Sequence, residues 1–136
     1  MHRWTEIWRS FRALRPWVQI WMVAILAPMN MVGFVFWDHE VGRIGFVLGL
    51  MGAAPGLIFI WLERGFSKIL SLVHIPAWTI MVPWLAMIML GENPAVGGTA
   101  VYAVALIAVN AVSLVFDYPA AWRWWKGDRL PAGRSA

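Results

Sequence analysis

Two side chains in this sequence are of the types that carry proton chemistry at depth in an apolar chain, His74 and Asp117. An imidazole beside a carboxylate can accept a proton or hydrogen-bond a substrate. Ser71, His74 and Trp78 are spaced three and four apart, as are Asn110, Ser113 and Asp117, so each set shares one face of a helix. Ionisable residues within a hydrophobic span are costly and mark functional positions by default. Two readings stay open. In one, His74 and Asp117 form a proton-accepting or substrate-binding site. In the other they form a polar clasp that fixes the register of two helices. The clasp asks for less, because catalysis needs a third group and a pocket, and neither is visible in the sequence.

Other chemistry finds little support. The chain has no cysteine, so disulfides, zinc thiolates and thiol nucleophiles are excluded. A haem between helices takes two histidines at matching depth, whereas His39 and His74 lie near opposite faces of the membrane and His2 is in the tail. Met29, Met31, Met87 and Met89 lie near His39 and could suit Cu(I), yet methionine is also an ordinary gap-filler. No metal and no cofactor is therefore assigned. There is no glycine-rich phosphate loop, no zinc-protease histidine motif, no nucleophile elbow, and no carboxylate pair within one span.

The elements that must position these residues follow from composition. The 136 residues are 61% hydrophobic and 13% charged, against roughly 45–50% and about 25% in a soluble domain. A bilayer-crossing helix needs about 20 mostly apolar residues, and four stretches qualify, near 17–37, 41–62, 69–90 and 98–121. Short polar breaks separate them and force antiparallel neighbours. The expected fold is an all-α membrane protein, a four-helix transmembrane bundle forming a single membrane domain over 1–136. Residues 122–136 are expected as a tail.

Lysine and arginine near span ends favour the cytoplasmic side. Arg3, Arg9, Arg12 and Arg15 precede the first span, Arg64 and Lys68 lie in the middle loop, and Arg123, Lys126, Arg129 and Arg134 follow the last. An even number of spans puts all ten on one side and only Arg43 on the other, so both termini are expected to be cytoplasmic. This bias accounts for the net charge of +4 without any nucleic-acid partner. Trp4, Trp8, Phe11 and Leu14 recur at spacings of three and four with arginines between them, which predicts an interfacial amphipathic helix over 1–16, not a cleaved signal peptide. Seven of the eleven tryptophans fall at span ends, as in an aromatic belt.

Depth then decides which polar residues can meet. His74 is five residues into the third span, about 8 Å at the helical rise, and Asp117 is similarly deep in the fourth. A His74–Asp117 contact is predicted in the cytoplasmic half, with Ser113 or Ser71 nearby. Asn110, near mid-span, is expected to bond Asn30 or a carbonyl freed by a proline, as interhelical glue. Gln19, Asn30 and Gly33 share a stripe on the first span. Gly42, Gly45, Gly49, Gly52 and Gly56 line one face of the second, a small-residue seam that could receive a helix of this chain or a second copy. Pro28, Pro55, Pro76 and Pro83 interrupt three spans and are expected to shape the bundle, while Pro119 is expected to bend the fourth helix out to the interface.

The stretch Gly65-Phe66-Ser67-Lys68-Ile69-Leu70 with His74 and Trp78 carries a resemblance. So does Asn110-Ala111-Val112-Ser113-Leu114 with Asp117, Arg123-Trp124 and Gly127-Asp128-Arg129. Over its second half the chain resembles short four-span bacterial inner-membrane proteins of unassigned function. The resemblance implies a bacterial inner-membrane location and adds no chemistry. The leading functional expectation is a non-catalytic subunit or accessory factor, with the lipid bilayer and other membrane subunits or its own copies as partners. A small oligomeric transporter or channel comes second, and an enzyme acting on a lipid or quinone near the cytoplasmic face third. Once four helices pack, little interior is expected to remain for a large cavity.

Overall fold

A computed structural model describes residues 2–134. A helix over Arg3–Ala13 precedes four spans: Pro16–Phe36, Glu40–Glu63, Ile69–Leu90 and Gly97–Trp125. Each span is long and apolar enough to cross a membrane. The third and fourth spans pack most extensively, the second lies against the third, and the first lies against the second. The first and fourth spans touch much less, leaving a seam between them. The chain is thus a four-helix bundle of membrane-compatible helices.

The first span is not a uniform helix. Pro16 opens it at the first helical position, where a missing N–H is harmless. Residues Trp21–Leu26 widen into a π-turn, and the Ala27 N–H donates to Met22 O, five residues back. Pro28 is the physical reason: its ring crowds the preceding turn and it has no N–H to donate, and a widened turn accommodates both defects. The helix then regularises over Ala27–Met31 and tightens to 3₁₀ over Val32–Phe36. There Gly33 lets the backbone of the second span come close. A Cβ at Gly33 would lie 2.7 Å from Tyr102 Oη and 2.9 Å from Gly42 O.

All five glycines of the second-span seam are buried within the chain. Gly42 faces Phe36, Gly45 faces Tyr102 and Leu106, Gly49 faces Asn30, and Gly52 faces the ring of Trp78. The alternative of self-association through this seam is therefore corrected: its positions are occupied by the first, third and fourth spans of the same molecule. Around it, Ile44, Leu48, Met81, Leu85, Ala103 and Leu106 form the core.

The fourth helix runs four residues past the expected end, through Pro119 to Trp125, so 122–125 are helix and not tail. Pro119, Pro76, Pro83 and Pro28 all sit on exposed positions, where a freed carbonyl disturbs no interhelical contact.

One end of the bundle gathers the N-terminal helix, the middle loop and the tail into a collar. Ser10, 3% exposed, accepts a hydrogen bond from the Phe66 N–H at 2.8 Å. The Ala132 N–H donates to Phe66 O at 2.7 Å. The Arg134 guanidinium donates to Glu63 O and Arg64 O at 3.0 and 2.7 Å. Lys68 pairs with Asp128 at 2.8 Å and Arg64 with Glu6 at 3.4 Å. Arg64 ends the second span in a left-handed conformation (φ 56°), and Gly65 then passes so close to Ser10 and Pro131 that a side chain would collide with both. The N-terminal helix turns Ser10 toward the bundle and leaves Trp4 and Trp8 69% and 61% exposed. That leaves the two indoles uncovered by protein, as an interfacial helix requires.

Candidate functional site

The third span carries Ser71, His74 and Trp78 on one face, and the fourth brings Ser113 and Asp117 against it. Ser113 Oγ donates to Asp117 Oδ2 at 2.9 Å within the same helix, and Ser71 lies beside the same carboxylate. His74 Nδ1 stands 3.9 Å from Asp117 Oδ2. That distance brings the two together but is too long for a hydrogen bond. His74 Nδ1 has no hydrogen-bond partner among the described residues. The imidazole is fixed from its other side: it stacks flat on Trp78, with ring centroids 5.0 Å apart and planes 4° apart. Trp78 in turn is 2% exposed and lies over Gly52. The absent Cβ at Gly52 therefore sets where the indole sits, and the indole sets where the imidazole sits.

These side chains border open space. A cavity of about 300 Å³ lies between the first, third and fourth spans, with His74, Asp117, Ser71 and Ser113 on one wall. Trp17, Trp21, Met22, Leu26 and Phe116 make its apolar walls. A second cavity of about 250 Å³ lies among the first three spans and shares Met22, Leu26, Leu70 and His74 with the first. The sequence showed no pocket, and the structure has these two. The π-turn residues Trp21, Met22 and Leu26 line the first cavity, where the first and fourth spans touch only slightly.

Asn30 and Asn110 meet outside the first cavity, with Asn30 on the wall of the second. Asn30 Nδ2 donates to Asn110 Oδ1 and to Leu26 O, each at 2.9 Å. Asn110 Nδ2 donates to Asn30 Oδ1 at 3.1 Å and to Met81 Sδ at 3.0 Å. Both hydrogens of each amide are satisfied, and Asn110 is fully buried. No freed proline carbonyl takes part. The pair is internal glue, and it offers no unsatisfied polar group to a permeating ion. Gln19 does not join the Asn30 stripe: it reaches back to Leu14 O at 2.7 Å and to the Arg12 side chain at 3.0 Å, tying the first span to the N-terminal helix. The four methionines do not converge. Met29 and Met89 pack on the core, while Met31 and Met87 are exposed. No group of three histidine, aspartate or glutamate side chains gathers among the described residues.

Three features of the site escaped the sequence. The cavity is lined in part by the π-turn, whose only signal is Pro28. The stacking of His74 on Trp78 was legible in part, since the two are four residues apart. The contact between Trp17 and Phe116, with centroids 5.3 Å apart, joins residues remote in sequence and has no local signal.

The fold and site define a small multi-pass membrane protein with a mostly apolar pocket between its helices that carries a few polar side chains. No protein-family model, curated protein or solved structure matches the chain.

Proposed function

We propose that this is a non-catalytic accessory protein of a bacterial inner membrane that holds an amphiphilic small molecule, a lipid or a quinone, in the pocket beside His74 and Asp117. The termini and the collar face the cytoplasm, which puts the pocket in the cytoplasmic half of the bilayer. The excess of basic residues at that end and the resemblance of the second half to four-span inner-membrane proteins support this address. The single observation that carries the function is the cavity of about 300 Å³ that has Asp117, His74, Ser71 and Ser113 among its lining residues. His74 and Asp117 do not close on one another as a clasp would, since Nδ1 stands 3.9 Å from Oδ2. That volume is at the small end of ligand sites, which join mostly apolar walls to a few placed polar groups. Ser113 donates its hydroxyl hydrogen to Asp117 and neither Ser71 nor Ser113 bonds His74 Nδ1, so holding a ligand is the chemistry the arrangement favours over transforming one.

The test is native mass spectrometry of the protein released from nanodiscs, with the bound small molecules identified. Wild type is expected to retain one amphiphile, and Asp117→Leu is expected to retain it at least tenfold less, or about 1.4 kcal/mol. Circular dichroism reports whether the variant keeps its helices. A wild-type protein that carries no amphiphile, or a helical Asp117→Leu that carries it undiminished, overturns the reading.

A further inference from the structure

The pocket's own chemistry narrows what it holds, granted the reading above that it holds an amphiphile. Its polar lining offers a carboxylate, an imidazole and the hydroxyls of Ser67, Ser71 and Ser113. The one cation among its lining residues, Lys68, is paired with Asp128 at 2.8 Å. A phosphate head would meet Asp117 with no free positive charge to offset the repulsion, and like charges at low dielectric repel strongly. A neutral head that donates a hydrogen bond meets the opposite situation: the Asp117 carboxylate on the cavity wall accepts it. The walls suit a flat ring, since Trp17, Trp21, Phe66 and Phe116 all line the cavity, and aromatic faces stack offset or edge-on with such rings.

The route of access agrees. The collar covers the aqueous end, where Leu14, Leu130 and Ala132 line the cavity and Ala132 is bonded to Phe66. The outer wall is the Trp17–Phe116 contact across the slightly touching first and fourth spans, and these two rings are 47% and 51% exposed on the lipid-facing surface. An occupant therefore comes from the lipid by parting two side chains, not from water.

We propose that the pocket binds a lipid-soluble hydroquinone, whose ring lies among the aromatic walls and whose hydroxyl donates to Asp117. Its tail leaves between the first and fourth spans. The proposal is one of binding and involves no electron transfer.

The experiment uses the full chain in phosphatidylcholine nanodiscs. The probes are a decyl-tailed hydroquinone, its dimethyl ether (the same ring and tail without a donor), a long-chain alcohol and phosphatidic acid, with occupancy read by native mass spectrometry. Expected is saturable binding of the hydroquinone, at least tenfold weaker binding of the dimethyl ether, and no displacement by phosphatidic acid. This comparison uses wild-type protein alone, so it does not depend on a variant that folds. Asp117→Leu is expected to bind the hydroquinone and its ether alike. Equal binding of hydroquinone and ether by wild type overturns the proposal. Displacement by phosphatidic acid, or preference for the alcohol, overturns it while leaving an amphiphile in the pocket. Absence of every amphiphile overturns this proposal and the function it rests on together.

Discussion

Gly52→Ala is expected to destabilise the bundle by about 1–3 kcal/mol, the range for overpacking a well-filled site, whereas Gly56→Ala, one helical turn on, is expected to be neutral or stabilising. The two residues share a helix, a face and a spacing motif, but not a neighbour. A Cβ at Gly52 would fall within the six-membered ring of Trp78. That ring cannot retreat, because it is 2% exposed and backed by the stacked imidazole of His74. The helices must separate, and the imidazole must move with the indole. At Gly56 the nearest atoms would be Leu70 Cδ2 at 3.6 Å and His74 Nε2 at 3.9 Å, ordinary contact distances. The alanine there keeps its helix-propensity advantage of up to about 1 kcal/mol. Gly42→Ala belongs with Gly52→Ala, since its neighbour is the Phe36 backbone carbonyl, which has no rotamer to change. Unfolding in a denaturing-detergent titration checks all three. Equal effects at Gly52 and Gly56 would mean that the seam does not pack as described.

The second large effect is non-additive. Asn110→Leu is expected to cost about 1–2 kcal/mol, because it leaves one Asn30 hydrogen and the Asn30 oxygen without a partner inside the bundle. Interhelical hydrogen bonds in membranes average about 0.6 kcal/mol and reach about 1.7, so most of the loss comes from the orphaned amide. Asn30→Leu is expected to cost a similar amount, since it strands Asn110 at a fully buried position. The double variant removes both amides and orphans neither. Its cost is expected to fall below the sum of the two by about 1 kcal/mol, a coupling typical of residues in direct contact. The same detergent titration, run as a double-mutant cycle, measures it. Strict additivity would show that the two amides do not satisfy one another.

Much of this architecture was legible because lipid imposes strict rules. Helix length against bilayer thickness located the four spans, and only their ends moved: the fourth runs on through Pro119 to Trp125 because Ala120 and Ala121 favour helix and nothing at the exposed proline stops it. Counting helical rise from the span ends placed His74 level with Asp117 and left Asn110 in need of a partner that Asn30 could supply. What could not be read was shape. The π-turn before Pro28 depends on how one helix relieves a local clash, and that turn lines part of the cavity. The five-glycine pattern showed a close-packed face without showing which helix fills it; only the positions of Phe36, Tyr102, Asn30 and Trp78 answer that. Gln19 shared a stripe with Asn30, yet the nearby Leu14 carbonyl at the start of the span captured it.

The leaflet proposed for the pocket depends on the collar end of the bundle facing the cytoplasm. The absence of cysteine makes this directly measurable with single-cysteine variants and a membrane-impermeant maleimide. Lys126→Cys lies at the collar end and Glu92→Cys in the loop at the opposite end. Glu92→Cys is predicted to react in intact cells, and Lys126→Cys only after the membrane is opened. Labelling of Lys126→Cys in intact cells, with Glu92→Cys protected, would contradict that orientation and move the pocket to the other leaflet.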